Sequence, residues 1–137
     1  MNLFKHFVLK LKRRIEYWDY IDKKETICKQ IGISPNLIQL PYNYNISGGG
    51  YIRMKGHFAA GEGLRMECID TYAKRTFTPY LEIGDGVIIN KNVHIGCINR
   101  ITIGGNCLLG SGILIIDHSY GYLCEEEKNK SYINRNL

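Results

Sequence analysis

Large apolar residues return at every sixth position between Leu81 and His118, at Ile83, Ile89 and Ile95 and then, after a slip of two, at Ile103, Leu109 and Ile115. Each has an apolar partner two residues earlier: Leu81, Val87, Val93, Ile101, Cys107 and Ile113. Residues two apart on a strand share a face, so each pair points to one side. Gly84, Asn90, Gly96, Gly104 and Gly110 follow the first five pairs, and Ile116 follows the last. Gly and Asn tolerate positive φ best, so these positions are expected to be corners. An inward pair and a corner at this spacing predict short parallel strands wound into a three-sided coil that closes after about eighteen residues, an all-β solenoid.

The same phase, less regular, is present from Ile52. Ile52/Met54, Phe58/Ala60 and Leu64/Met66 are the inward pairs of a first coil, which makes about three coils in all. Met66 and Ile83 lie further apart than direct succession allows, and the surplus around Asp70 to Tyr80 predicts an extended surface loop over 67–80. After His118 the repeat breaks into a polar loop over 119–137 that carries Glu125, Glu126, Glu127, Lys128 and Lys130. Upstream, Phe4, Phe7, Val8, Leu11, Ile15, Trp18 and Ile21 form one stripe at helical spacing, so an amphipathic α-helix is expected from residue 3 to about 30. Pro35, Pro41 and the Tyr42 to Asn45 stretch end that pattern, and Ser47 with three glycines frees the chain. The domain division is therefore 1–50, a helical segment and linker, and 51–137, the repeat.

At 137 residues the chain is one domain's worth. Its net charge of +5 is lopsided, since Lys5, Lys10, Lys12, Arg13 and Arg14 all precede residue 15. Two uses of the basic helix stay open. Its stripe docks as a cap on the end of the coils, or residues 3–21 lie on an anionic membrane surface, as would suit an enzyme acting on a lipid-linked sugar. No nucleic acid partner is expected. No apolar run reaches the length of a membrane span. Five cysteines without a CxxC, one of them (Cys107) at an inward small-residue position, point to a reduced, cytoplasmic protein, with peripheral attachment at the inner face of the membrane as the variant of that reading.

The segments IGDGVI, INKNVH, IGCINR, IGGNCL and LGSGIL resemble the hexapeptide-repeat acyltransferases, in particular the galactoside, maltose and surface-polysaccharide O-acetyltransferases. The likeness covers residues 52 to 132. It implies a left-handed parallel β-helix, a hand that comes from the resemblance alone, since most parallel crossovers are right-handed. It also implies acetyl-CoA as co-substrate, a sugar or glycan acceptor, and a homotrimer with the coenzyme in the groove between neighbouring subunits. In that family later coils hold most of the coenzyme. Here the chain stops where a further coil would open, so truncation at the carboxyl end is expected and the coenzyme-binding residues are unassigned.

Acetyl transfer to a hydroxyl needs a base, and histidine suits that task near neutral pH. His118, at the end of the last inward pair in the context IIDHSYG, matches the segment carrying the family's catalytic histidine. Asn90 occupies the place of an active-site asparagine in the galactoside enzymes, and it also stands at a corner. Asn92 and Asp117 are weaker candidates, for acceptor contact or for holding His118. A zinc site like that of the γ-class carbonic anhydrases is not expected, because His57, His94 and His118 contain no pair five apart. The leading expectation is an O-acetyltransferase of capsule, lipopolysaccharide or exopolysaccharide synthesis with His118 as base. The alternative is a non-catalytic β-helix module that acts as an assembly partner.

Overall fold

The computed structural model describes residues 3–119, 121 and 124–135. It opens with α1 (Leu3–Ile31) and continues through β1 (Ile38–Gln39), β2 (Asn45–Ser47), β3 (Ile52–Met54), β4 (Phe58–Ala60), β5 (Arg65–Cys68) and a small hairpin, β6 (Thr71–Tyr72) and β7 (Arg75–Thr76). Then come β8 (Tyr80–Ile83), β9 (Val87–Ile89), β10 (His94–Cys97), β11 (Arg100–Ile103), β12 (Leu108–Leu109), β13 (Leu114–Ile116) and a single helical turn, α2 (Glu125–Lys128). Apart from the hairpin, every strand pairing is parallel. A first sheet runs β1-β4-β9-β12, a second β2-β5-β10-β13 and a third β3-β8-β11, so successive strands visit the three sheets in rotation.

The inward pairs stack in register. Ile83 lies opposite Ile103, Ile89 opposite Leu109 and Ile95 opposite Ile115, with Met54, Ala60 and Met66 one rung earlier. Leu81, Ile83, Val87, Val93 and Ile95 are fully buried, whereas Ile88, Leu108 and Leu114 on the outer faces are exposed. Burying one such aliphatic side chain contributes about 1.5–3 kcal/mol, and the columns gather that gain at every rung.

Three details differ from expectation. First, the sheets begin at Ile38 rather than after residue 50, because Ile38 pairs with Phe58 and Ile46 with Met66. Second, Gly84, Asn90, Gly96, Gly104 and Gly110 do not have positive φ; the left-handed positions at the regular corners are Gly63, Gly86, Asn92, Asn106 and Gly112, three residues beyond the end of an inward pair. Gly84 is small for another reason, since a Cβ there would run into the Gly105 backbone of the next rung. Third, the stripe on α1 caps no end of the coils among the described residues. Phe4, Phe7, Val8, Leu11, Ile15 and Trp18 are exposed, and the helix docks instead through Tyr20, Ile27, Cys28 and Ile31. Tyr20 donates a hydrogen bond to the Leu40 carbonyl at 2.8 Å, Lys23 donates one to the Tyr44 carbonyl at 2.8 Å, and Gly49 is packed tightly against Gln30 and Ile27. No helix among the described residues is long and apolar enough to cross a membrane.

The surplus residues after Met66 fold as the β6–β7 hairpin, turned by Ala73 and Lys74 at positive φ. Within 119–137, the described residues include α2 and a 3₁₀ turn over Tyr132–Asn134.

Candidate active site

The slip of two in the repeat falls between β10 and β11, at Ile98 and Asn99. These extra residues leave two backbone amides outside the ladder, and the Asp117 carboxylate accepts both, from Ile98 N–H at 2.9 Å and from Asn99 N–H at 2.9 Å. The Cys97 thiol donates to the same carboxylate at 3.5 Å. Burial works to raise the Asp117 pKa, but the two amides, His118 and Cys97 together outweigh it and hold the group below its ordinary value. Asp117 is therefore an anion fixed from the rung beneath.

His118 follows directly. Its side chain is only 6% exposed, and its Nδ1 lies 3.4 Å from Asp117 Oδ1. The ring rests over Gly96, where a Cβ would come within 3.2 Å of His118 Cε1 and 3.7 Å of His94 Nε2. Gly96 thus sits between two imidazoles on the outer face of the second sheet. His94 is held in turn, with its Nε2 3.1 Å from Glu67 Oε2, and the other Glu67 oxygen pairs with Arg65 at 2.9 Å. The structure therefore gathers Arg65, Glu67, His94, Gly96, Asp117 and His118 along one face.

The other sequence candidates lie elsewhere. Asn90 is exposed at the end of β9, and its side chain accepts a hydrogen bond from the neighbouring Lys91 N–H at 3.3 Å. It precedes β10 whereas His118 follows β13, so in parallel strands the two stand at opposite ends of the second sheet, about 13 Å apart along a four-residue strand. Asn92 is a left-handed corner whose N–H donates to the Glu62 carbonyl at 2.8 Å. His57 pairs with Asp85 at a third corner. Among the described residues no three His, Cys, Asp or Glu side chains converge as metal ligands.

Cysteine chemistry is also disfavoured. Cys68 and Cys97 are register partners inside the stack, and burial, then the neighbouring Cys97, pushes the Cys68 thiol up to about 12. Burial raises Cys97 as well, so neither supplies a thiolate near neutral pH.

Reading the sequence missed His94, Glu67 and Gly96. One signal was available. Val93, Ile95 and Cys97 point inward, so His94 and Gly96 must point outward, and a glycine inside a strand marks a close approach.

Compared with curated proteins, the chain is 33% identical over 76 residues to a protein of Escherichia coli (strain K12) that carries the provisional name lipopolysaccharide biosynthesis O-acetyl transferase WbbJ. The matched stretch takes in 56% of this chain and 35% of that protein, so the chain spans about a third of the length of the curated relative it matches. No family model matches, and no solved structure matches. The chain is thus similar over part of its length to a protein named as an O-acetyltransferase.

Proposed function

We propose that the protein is an acetyl-CoA-dependent O-acetyltransferase acting on a sugar of a surface polysaccharide, on a left-handed parallel β-helix of the kind its repeat resembles. One observation carries the reading: an imidazole seated on a fixed carboxylate and packed against a strand glycine, on a chain partly similar to a protein of that name.

In this reading Asp117 orients His118 through Nδ1, and Nε2 takes the proton of the acceptor hydroxyl. As that proton leaves, the hydroxyl oxygen attacks the thioester carbonyl. A C–O bond forms, the C–S bond breaks, and the proton passes from His118 to the departing thiolate. The 3.4 Å separation of His118 from Asp117 is long for a hydrogen bond and is expected to tighten when substrate is bound. His94, braced by Glu67, faces the same glycine and would hold a second hydroxyl of the acceptor. Asn90 belongs to the reading only if a neighbouring copy brings it to His118, in the homotrimer that the resemblance implies; Asn92 is given no separate part.

The test is release of free coenzyme A thiol from acetyl-CoA in the presence of a panel of sugar acceptors. His118→Ala should abolish acceptor-dependent release while the far-UV circular dichroism stays unchanged. Equal release by that variant sinks the role of His118, and no binding of acetyl-CoA at millimolar concentration favours the non-catalytic module.

A further inference from the structure

The exposed part of α1 has two faces with separate tasks. At 100° per residue, Phe4, Phe7, Val8, Leu11, Ile15 and Trp18 fall within an arc of about 100°. Tyr20, Ile27, Cys28 and Ile31, which pack on the stack, centre about half a turn away. The stripe therefore points away from the body of the protein. Lys5 and Lys12 flank it on one side and Lys10 and Arg14 on the other. The helix has no acidic residue before Glu16, and beyond Trp18 the same faces carry Asp19, Asp22 and Glu25. The cationic margins end at Arg14, one turn before the stripe ends at Trp18, Lys12 pairs with Glu16 at 3.7 Å, and the whole patch spans about 24 Å of helix.

We propose that residues 3–18 of α1 form a docking surface for an anionic lipid membrane, lying in the plane of the interface with the aromatic stripe down. Charge complementarity selects this occupant. A stripe bordered by cations on both edges suits a surface that is apolar within and negative at its rim, and aromatic rings favour that boundary. Two copies packed through the same stripe would instead bring like charges together along both margins. This surface is independent of the acyltransferase reading. It does fix a geometry for it: α1 docks beside β3 and the turn before it, while His118 follows β13, three rungs beyond β2 and about 14 Å along the stack.

Trp18 is the sole tryptophan, so its emission reports the stripe directly. The full chain is mixed with phosphatidylcholine vesicles, with or without phosphatidylglycerol, and followed by emission and co-sedimentation. Expected are a blue shift and binding to the anionic vesicles at least about tenfold above the neutral ones, weakening as salt is raised. The double substitution Phe7→Glu, Leu11→Glu, both exposed and outside the docked face, should abolish binding with unchanged circular dichroism. Absence of binding to anionic vesicles, or equal binding by the double variant, overturns the proposal. So does an oligomer, seen by light scattering, that the double substitution dissociates while vesicles leave Trp18 emission unmoved.

Discussion

Two corners of the stack are regular and the third is not. Between the first and second sheets the chain goes from Leu40 to Tyr44, Ala60 to Leu64, Ile89 to Val93 and Leu109 to Ile113, always the same step, and it does so again between the third and first. From second to third it goes from Ile46 to Ile52, Met66 to Leu81 and Ile95 to Ile101. At a regular corner each turn donates to the rung beneath, Asn92 N–H to the Glu62 carbonyl and Gly112 N–H to the Lys91 carbonyl. At the irregular corner the extra residues leave amides over, and a buried amide without a partner costs free energy. A side chain must come to them. Asp117 does, and His118 comes with it.

Contrasting one substitution at each kind of corner should give the largest effect. His118→Ala should lower acyl transfer by about 10²–10⁴-fold, the usual worth of a general base, while Asn90→Ala in a site formed by one chain should stay within about threefold. A loss of similar size for Asn90→Ala would bring a neighbouring copy's regular corner into the site.

Asp117→Asn should cost about 2 kcal/mol in denaturant unfolding, because the two N–H donors each meet a different carboxylate oxygen and the amide would set an NH2 donor against one of them. Its pH dependence has a definite sign. The folded value lies below the ordinary 3.8, so the unfolded chain binds more protons between the two values. Stability is thus fully present above about pH 4 and lost as pH falls through the folded value, and Asp117→Asn should flatten that acid loss.

Smaller still, Gly96→Ala should reduce transfer by about tenfold with little change in melting, since a Cβ 3.1 Å from Ile116 and 3.2 Å from His118 shifts the imidazole by tenths of an ångström. At the regular corner, Asn92→Val should cost about 1–2 kcal/mol and Asn92→Gly almost nothing, a purely structural response read by thermal melting.

The inward pairs from Ile52 to Ile115 and the extent of α1 were legible because burial imposes a strict period. The earlier pairs Ile38/Leu40 and Tyr44/Ile46 keep that spacing, but Pro41 and an aromatic at Tyr44 disguise it. Periodicity also finds a stripe on α1 without saying whether it docks, and here the docked face is the less conspicuous one, held by Tyr20, Ile27, Cys28 and Ile31. The position of His118 could be read from the end of the repeat. Its neighbour His94 could not, because their proximity across Gly96 arises from stacking one rung on another.

Among the described residues β13 is the last strand of the second sheet, and Ile113 and Ile115 are only half-buried where Leu64, Met66, Val93 and Ile95 are sealed. In linear arrays a less buried unit opens before the sealed ones. Heat or mild denaturant should therefore detach Asp117 from Ile98 and Asn99 while the interior columns remain intact, so chemistry at His118 would fail at a lower temperature than the one at which the molecule melts.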